Sequence, residues 1–202
     1  MSDETTRAAY SGRAAEYIDL LGSMSSVHPA DVHVVSTWAD GVDGGIIDAG
    51  CGPGHWTDFL TQRGLSARGI DQVPEFVAHA AHAFPSVGFA TEGLDAIGAD
   101  TGSVGGILAW YSLIHHGPDA IRAPLREFAR VLRPGGALLV GFFEGLTVER
   151  FAHAVTPAYR WPVDAIGAEL ERAGFDVVES HIRRTAGQRS HAAVSARRSD
   201  AR

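Results

Sequence analysis

The stretch that decides this chain is Ile46-Ile47-Asp48-Ala49-Gly50-Cys51-Gly52-Pro53-Gly54-His55-Trp56. A β-branched pair runs into an aspartate, glycines follow at alternate positions, and a helical pattern begins. Strand, tight turn and helix start in this order form a nucleotide-type cofactor loop. Glycine suits such a turn because it accepts positive φ and lets a ligand approach bare backbone. His55 stands where a dinucleotide fingerprint would continue toward its third glycine. Downstream, Asp71 lies 21 positions after Gly50 at the end of a second apolar run. An acidic side chain at that spacing can accept both hydroxyls of a ribose.

Working outward, the pattern alternates. Strands are expected at 45–49, 67–70, 87–91, 104–110, 137–143, 175–183 and 191–196. Helices are expected at 11–21, 30–39, 55–63, 74–83, around Leu125–Leu132, and 163–173. Residues 1–9 are polar and read as frayed, 144–160 as irregular, and the chain from Arg197 on as a polar tail. Strand alternating with helix predicts an α/β fold with a Rossmann-like, doubly wound, mostly parallel sheet and helices on both faces. Ligands of such sheets bind beyond the carboxyl ends of the strands. Asp48, Gly50, Asp71, Glu92, Trp110 and Glu144 all fall at or just past such ends.

Composition narrows the function. The 202 residues carry a net charge of −7, which gives a nucleic-acid partner no electrostatic support. All 17 cationic side chains are arginine, so there is no P-loop lysine, Schiff-base lysine or Tyr-Lys reductase pair. The single cysteine, Cys51, excludes disulfide frameworks and Cys-ligated clusters. No apolar run reaches about 18 residues, so no membrane span is expected. A cytoplasmic protein follows as the expectation.

The segment 46–56 resembles motif I of class I methyltransferases that use S-adenosylmethionine, in particular small bacterial proteins of the methyltransferase-domain type. Asp71 matches that family's ribose-binding residue. Val131-Leu132-Arg133-Pro134-Gly135-Gly136-Ala137-Leu138-Leu139 matches its turn before strand 5, and Val104–His116 its strand 4 and following loop. The resemblance implies a seven-stranded sheet of order 3-2-1-4-5-7-6 with strand 7 antiparallel. It implies one domain over 1–202: lid helices at 10–40, a cofactor core at 41–143, a substrate-covering insertion at 144–162, and a closing helix and hairpin at 163–196.

Carried over residue by residue, Asp48, Gly50, Cys51 and Gly52 would approach the methionine part of the cofactor. Asp71 would take the ribose, Gly93 and Leu94 the adenine, with Gln72 on the adenine face in place of a commoner apolar residue, and the Trp110 carbonyl the ammonium. Tyr10, Arg13 and Tyr17 would form the lid. His115 is the candidate general base, because an imidazole titrates in the right range. His115, His116, Phe143, Tyr159, Arg160 and Trp161 are the candidate acceptor residues, with Glu144 and Arg150 as further polar handles in an aromatic pocket. His28, His33, His79, His82 and His153 read as surface residues, and no metal is expected. The implied reaction moves a methyl group from S-adenosylmethionine to a small molecule through an oxygen, nitrogen or carbon nucleophile, leaving S-adenosylhomocysteine. Neither nucleic acid nor membrane is an expected partner, and a homodimer is left open. A non-catalytic domain binding the same cofactor stays as an alternative. So, with less support, does an NAD(P)-dependent oxidoreductase, which would need the third glycine and the Tyr-Lys pair.

Overall fold

The computed structural model describes residues 3–200. Its strands are β1 (Ile46–Ala49), β2 (Ala67–Asp71), β3 (Gly88–Thr91), β4 (Val104–Trp110), β5 (Leu132–Glu144), β6 (Glu149–Phe151), β7 (Ala158–Trp161), β8 (Phe175–Arg183) and β9 (His191–Arg198). The helices are α1 (Asp3–Ser11), α2 (Ala14–Leu21), α3 (Pro29–Asp40), α4 (His55–Gln62), α5 (Pro74–Ala83), α6 (Arg122–Val131) and α7 (Val163–Arg172). None of these helices is long and apolar enough to cross a membrane.

Five strands run parallel in the order β3-β2-β1-β4-β5. β9 lies antiparallel between β5 and β8, so the two closing strands take the expected places, while β7 and β6 join the sheet on β5 as an addition to the expected order. β4 and β1 are buried along nearly their whole length, as strands covered on both faces must be. On one face α3 and α4 bring Val35, Trp38, Trp56 and Leu60 against Ile46, Leu108 and Leu139. On the other, Leu125, Phe128 and Val131 of α6 and Ile166 and Leu170 of α7 pack on Ile107, Leu138 and Val140. The apolar spacing predicts Leu125, Phe128, Ala129 and Leu132 as the inward stripe of α6; Leu132 instead opens β5.

Four expectations are corrected. Residues 3–11 form a helix, which the polarity of the segment hid; Thr6 and Tyr10, four apart, share its inward side. The break at Gly12–Arg13 then separates α1 from α2, where one helix was expected. Residues 144–160 are not irregular throughout: β6 and β7 form an antiparallel pair within them, giving nine strands among the described residues in place of seven. The last strand continues to Arg198, past the expected start of a tail.

The added pair shapes the site. β4 stays beside β5 as far as Trp110↔Gly141, then leaves at Tyr111, a non-glycine residue with φ of 59°. β7 takes over the vacated edge of β5 through Phe143↔Arg160 and Glu144↔Trp161. The Tyr159 N–H donates to the Ile114 carbonyl at 2.7 Å, tying β7 to the loop after β4.

Candidate active site

A cleft of about 430 Å³ opens beyond the carboxyl ends of β1, β2, β4 and β5. Its floor is the glycine loop. The Gly50 and Cys51 N–H groups donate to the Ile70 carbonyl at 2.8 and 2.9 Å, which clamps the loop to β2. Gly52 N–H then donates to Asp71 Oδ2 at 2.9 Å, and Val73 N–H to Oδ1 at 2.9 Å. Loop and carboxylate are therefore one unit. Gly54, at φ 89°, cannot carry a side chain: a Cβ there would stand 2.7 Å from Ala80 Cβ.

Burial raises the Asp71 carboxyl above its ordinary pKa, and its backbone N–H donors pull it back down. Asp48, 1% exposed, accepts from Thr57 Oγ1 at 2.7 Å and so ties β1 to the first turn of α4. Desolvation pushes its pKa to about 7. Cys51 is a buried thiol whose pKa is pushed up mainly by burial, so it packs and does not react.

The roof comes from the N-terminal helices. Tyr10 and Tyr17 meet edge to face at 5.6 Å, and both pack on Phe76 of α5. Tyr10 Oη and His115 Nε2 are 2.8 Å apart, and His115 Nδ1 is 3.0 Å from the Pro157 carbonyl. A carbonyl can only accept, so Nδ1 carries the hydrogen. In the neutral ring Nε2 then accepts the Tyr10 hydroxyl proton. Desolvation holds His115 at a pKa of about 4, so the neutral ring is its form near neutral pH.

Of the residues singled out in the sequence, Tyr10, Tyr17, Asp48, Gly50, Cys51, Gly52, Asp71, Gln72, Leu94, Trp110, His115 and Phe143 line this one cleft. Others lie elsewhere. Arg13 is bound by Glu16 and the Ala154 carbonyl. Gly93 bridges to Ala96, and Glu92 holds Arg68 and Gly98 N–H. Trp161 is a core residue; Arg160 pairs with Glu149 and lies over Phe151. Tyr159 covers Gly117, and Glu144 pairs with Arg184. His116 and Arg150 do not line the cleft.

The cleft also contains residues outside the expected set. His153, expected at the surface, is half-buried against His115 and Phe143 at 5.6 and 5.8 Å. His28 is exposed yet stands on the rim with Asp31, Tyr111, Arg183 and His191. The last three and Asp31 come from α3, the end of β4, β8 and β9, so only the sheet's closing strands bring them together.

The nucleotide-type loop, the acid at the end of β2, the sheet order and the helical roof are together those of the class I methyltransferase fold. Residues 46–136 match the family described as methyltransferase domain. The ubiquinone biosynthesis O-methyltransferase of Xanthomonas oryzae is 28% identical over 140 residues, 67% of this chain and 57% of its own length. The chain thus spans little more than half of that curated relative. Among solved structures, the 1,6-didemethyltoxoflavin-N1-methyltransferase of Burkholderia thailandensis superposes with a TM-score of 0.78 at 22% identity, covering 96% of this chain and 87% of its own. The magnesium protoporphyrin IX methyltransferase of Synechocystis gives 0.77 at 20% identity, with 98% of each chain covered. At these identities the structures speak for the fold.

Proposed function

We propose that the cleft binds S-adenosylmethionine and that the chain transfers its methyl group to a small-molecule acceptor, releasing S-adenosylhomocysteine. The observation that carries this reading is the Gly52–Asp71 unit: a carboxylate, 8% exposed, held by backbone N–H groups at the mouth of a glycine loop. Each carboxylate oxygen keeps a lone pair for one hydroxyl of a ribose. The remaining chemistry also fits. Buried polar atoms without a hydrogen-bond partner, Ser112 Oγ and His55 Nδ1, belong to residues of the cleft wall, where a polar ligand would engage them. Leu94 offers an apolar surface for an adenine ring, and Tyr17 lies over Gly52 to cover the methionine part.

When bound, the cofactor supplies an electrophilic methyl carbon, so the protein's tasks are alignment, exclusion of water and removal of a proton. Tyr10 and Tyr17 close the cleft to water. For an acceptor hydroxyl, the proton goes to Tyr10 Oη while the Tyr10 proton passes to His115 Nε2; the Pro157 carbonyl holds the imidazolium that forms. His115 is thus the base at one remove, and Tyr10 the group that meets the acceptor.

Calorimetry with S-adenosylhomocysteine tests the reading. The expected result is a single site, with Asp71→Ala weakening it by about 1–3 kcal/mol, the cost of lost hydrogen bonds to a charged group. No heat of binding at millimolar ligand would refute it.

A further inference from the structure

We propose, building on the methyltransferase reading, that the acceptor is a planar aromatic compound with an anionic group, its ring against Phe143 and its charge between Arg183 and Arg189. Phe143 is the centre of an aromatic wall: Tyr111, His191 and His153 stand 5.2, 5.5 and 5.8 Å from its ring. Their planes are tilted 57, 52 and 47° to Phe143, so they line a weakly polar aromatic corner that another ring can enter. Tyr111 reaches this position from a left-handed backbone that costs a non-glycine residue free energy, and its hydroxyl is fixed 2.5 Å from His191 Nδ1.

The charges at this end of the cleft are unbalanced. Both Asp31 oxygens engage Arg183 through Nη2 alone, at 3.1 and 3.0 Å. Among the described residues Asp31 is its only hydrogen-bond partner, and Nε is buried without one. The Arg189 guanidinium lies 5.9 Å from the Phe143 ring and 5.1 Å from Phe151, with no carboxylate partner among the described residues. The acids nearby are committed elsewhere: Glu16 to Arg13 and Glu144 to Arg184. The histidines report the same field. After desolvation, His153 is pushed toward neutrality by Arg189 and Arg13. His191 is pushed the same way by Arg183, His28 and Arg189, against Asp31. In a chain of net charge −7, this end of the cleft thus has Arg183, paired with Asp31, on its wall and the unpaired Arg189 guanidinium just behind Phe143. A carboxylate there would gain charge-assisted hydrogen bonds from guanidinium groups. A cationic acceptor would be repelled, and a neutral one would leave Arg183 under-used.

The test uses protein saturated with S-adenosylhomocysteine and three probe pairs: benzoate, 2-naphthoate and indole-3-carboxylate, each against its primary amide. Within a pair the charge changes and the ring does not. The expected result is that at least one acid binds about tenfold or more tightly than its amide by calorimetry. Arg189→Gln, an exposed and fold-neutral change, should bring that ratio below about threefold, as should the double variant Asp31→Asn with Arg183→Met. Amides binding as well as acids, no acid binding at all, or a ratio that survives both variants would overturn the proposal. Failure of S-adenosylhomocysteine itself to bind would bring down the cofactor reading beneath it, and that titration is run first.

Discussion

At the scale of single residues, the hydrogen bond between Tyr10 and His115 has a direction, and the direction matters. Because Pro157 fixes the tautomer, the free-base nitrogen of His115 is already spoken for by Tyr10. Tyr10→Phe and His115→Ala are therefore expected to lower kcat by a similar factor, about 10²–10⁴, while the affinity for S-adenosylhomocysteine stays within about threefold. A latch without a proton-transfer role would instead shift cofactor affinity and leave kcat alone. The pH profile carries a second prediction. With His115 held near a pKa of about 4, the rate should show no His115 inflection near pH 6.5 and should fall only as pH approaches 4. An inflection near 6.5 that disappears in His115→Ala would contradict the geometry. Asp71 and the glycines could be read in the sequence because their meaning is local spacing. Arg183 and His191 could not, since no spacing along the chain says that β8 and β9 end beside Tyr111.

At the scale of elements, the glycine loop is a packing device as much as a ligand cradle. Gly54 combines a φ of 89° with the Ala80 and Phe89 side chains less than 3 Å from where a Cβ would go. Gly54→Ala should therefore cost about 2–4 kcal/mol in denaturant unfolding, part backbone strain and part overpacking. A loss under about 0.5 kcal/mol would mean that α5 is free to move away from the loop. The strands and helices of the core were legible because each shows its own period over enough residues. The pair β6 and β7 was not. Three or four residues carry no readable alternation, and what orders them is the edge of β5 that β4 leaves bare. Residues 3–11 were hidden differently: Thr6 and Tyr10 are a weak apolar signal until Phe76 and His115 supply the partners of Tyr10. Arg13, Arg160 and Trp161 drew notice by residue type, yet each satisfies a local need, ion pair or core, away from the cleft.

At the scale of the whole molecule, the cleft concentrates groups held away from their ordinary ionisation, and stability should record it. His115 and His55 have pKa values lowered to about 4 by burial. The unfolded chain takes up their protons first, so stability present above about pH 6.5 is lost as pH falls toward 4. Asp48 runs the other way: its pKa is raised to about 7, so its contribution is present at low pH and lost as pH rises through 7. Asp48→Asn should accordingly stabilise the ligand-free protein at pH 8 by roughly 2–4 kcal/mol, and by less than half as much at pH 5. An equal gain at both pH values would show that Asp48 is not strained by burial. The most direct measurement of the central claim is a crystal structure of the protein grown with S-adenosylhomocysteine. The account predicts both ribose hydroxyls on the Asp71 carboxylate, the amino acid end beside Gly50–Gly52 under Tyr17, and the sulfur facing Tyr10. Density for the ribose anywhere but Asp71, or a glycine loop with no ligand against it, would contradict it.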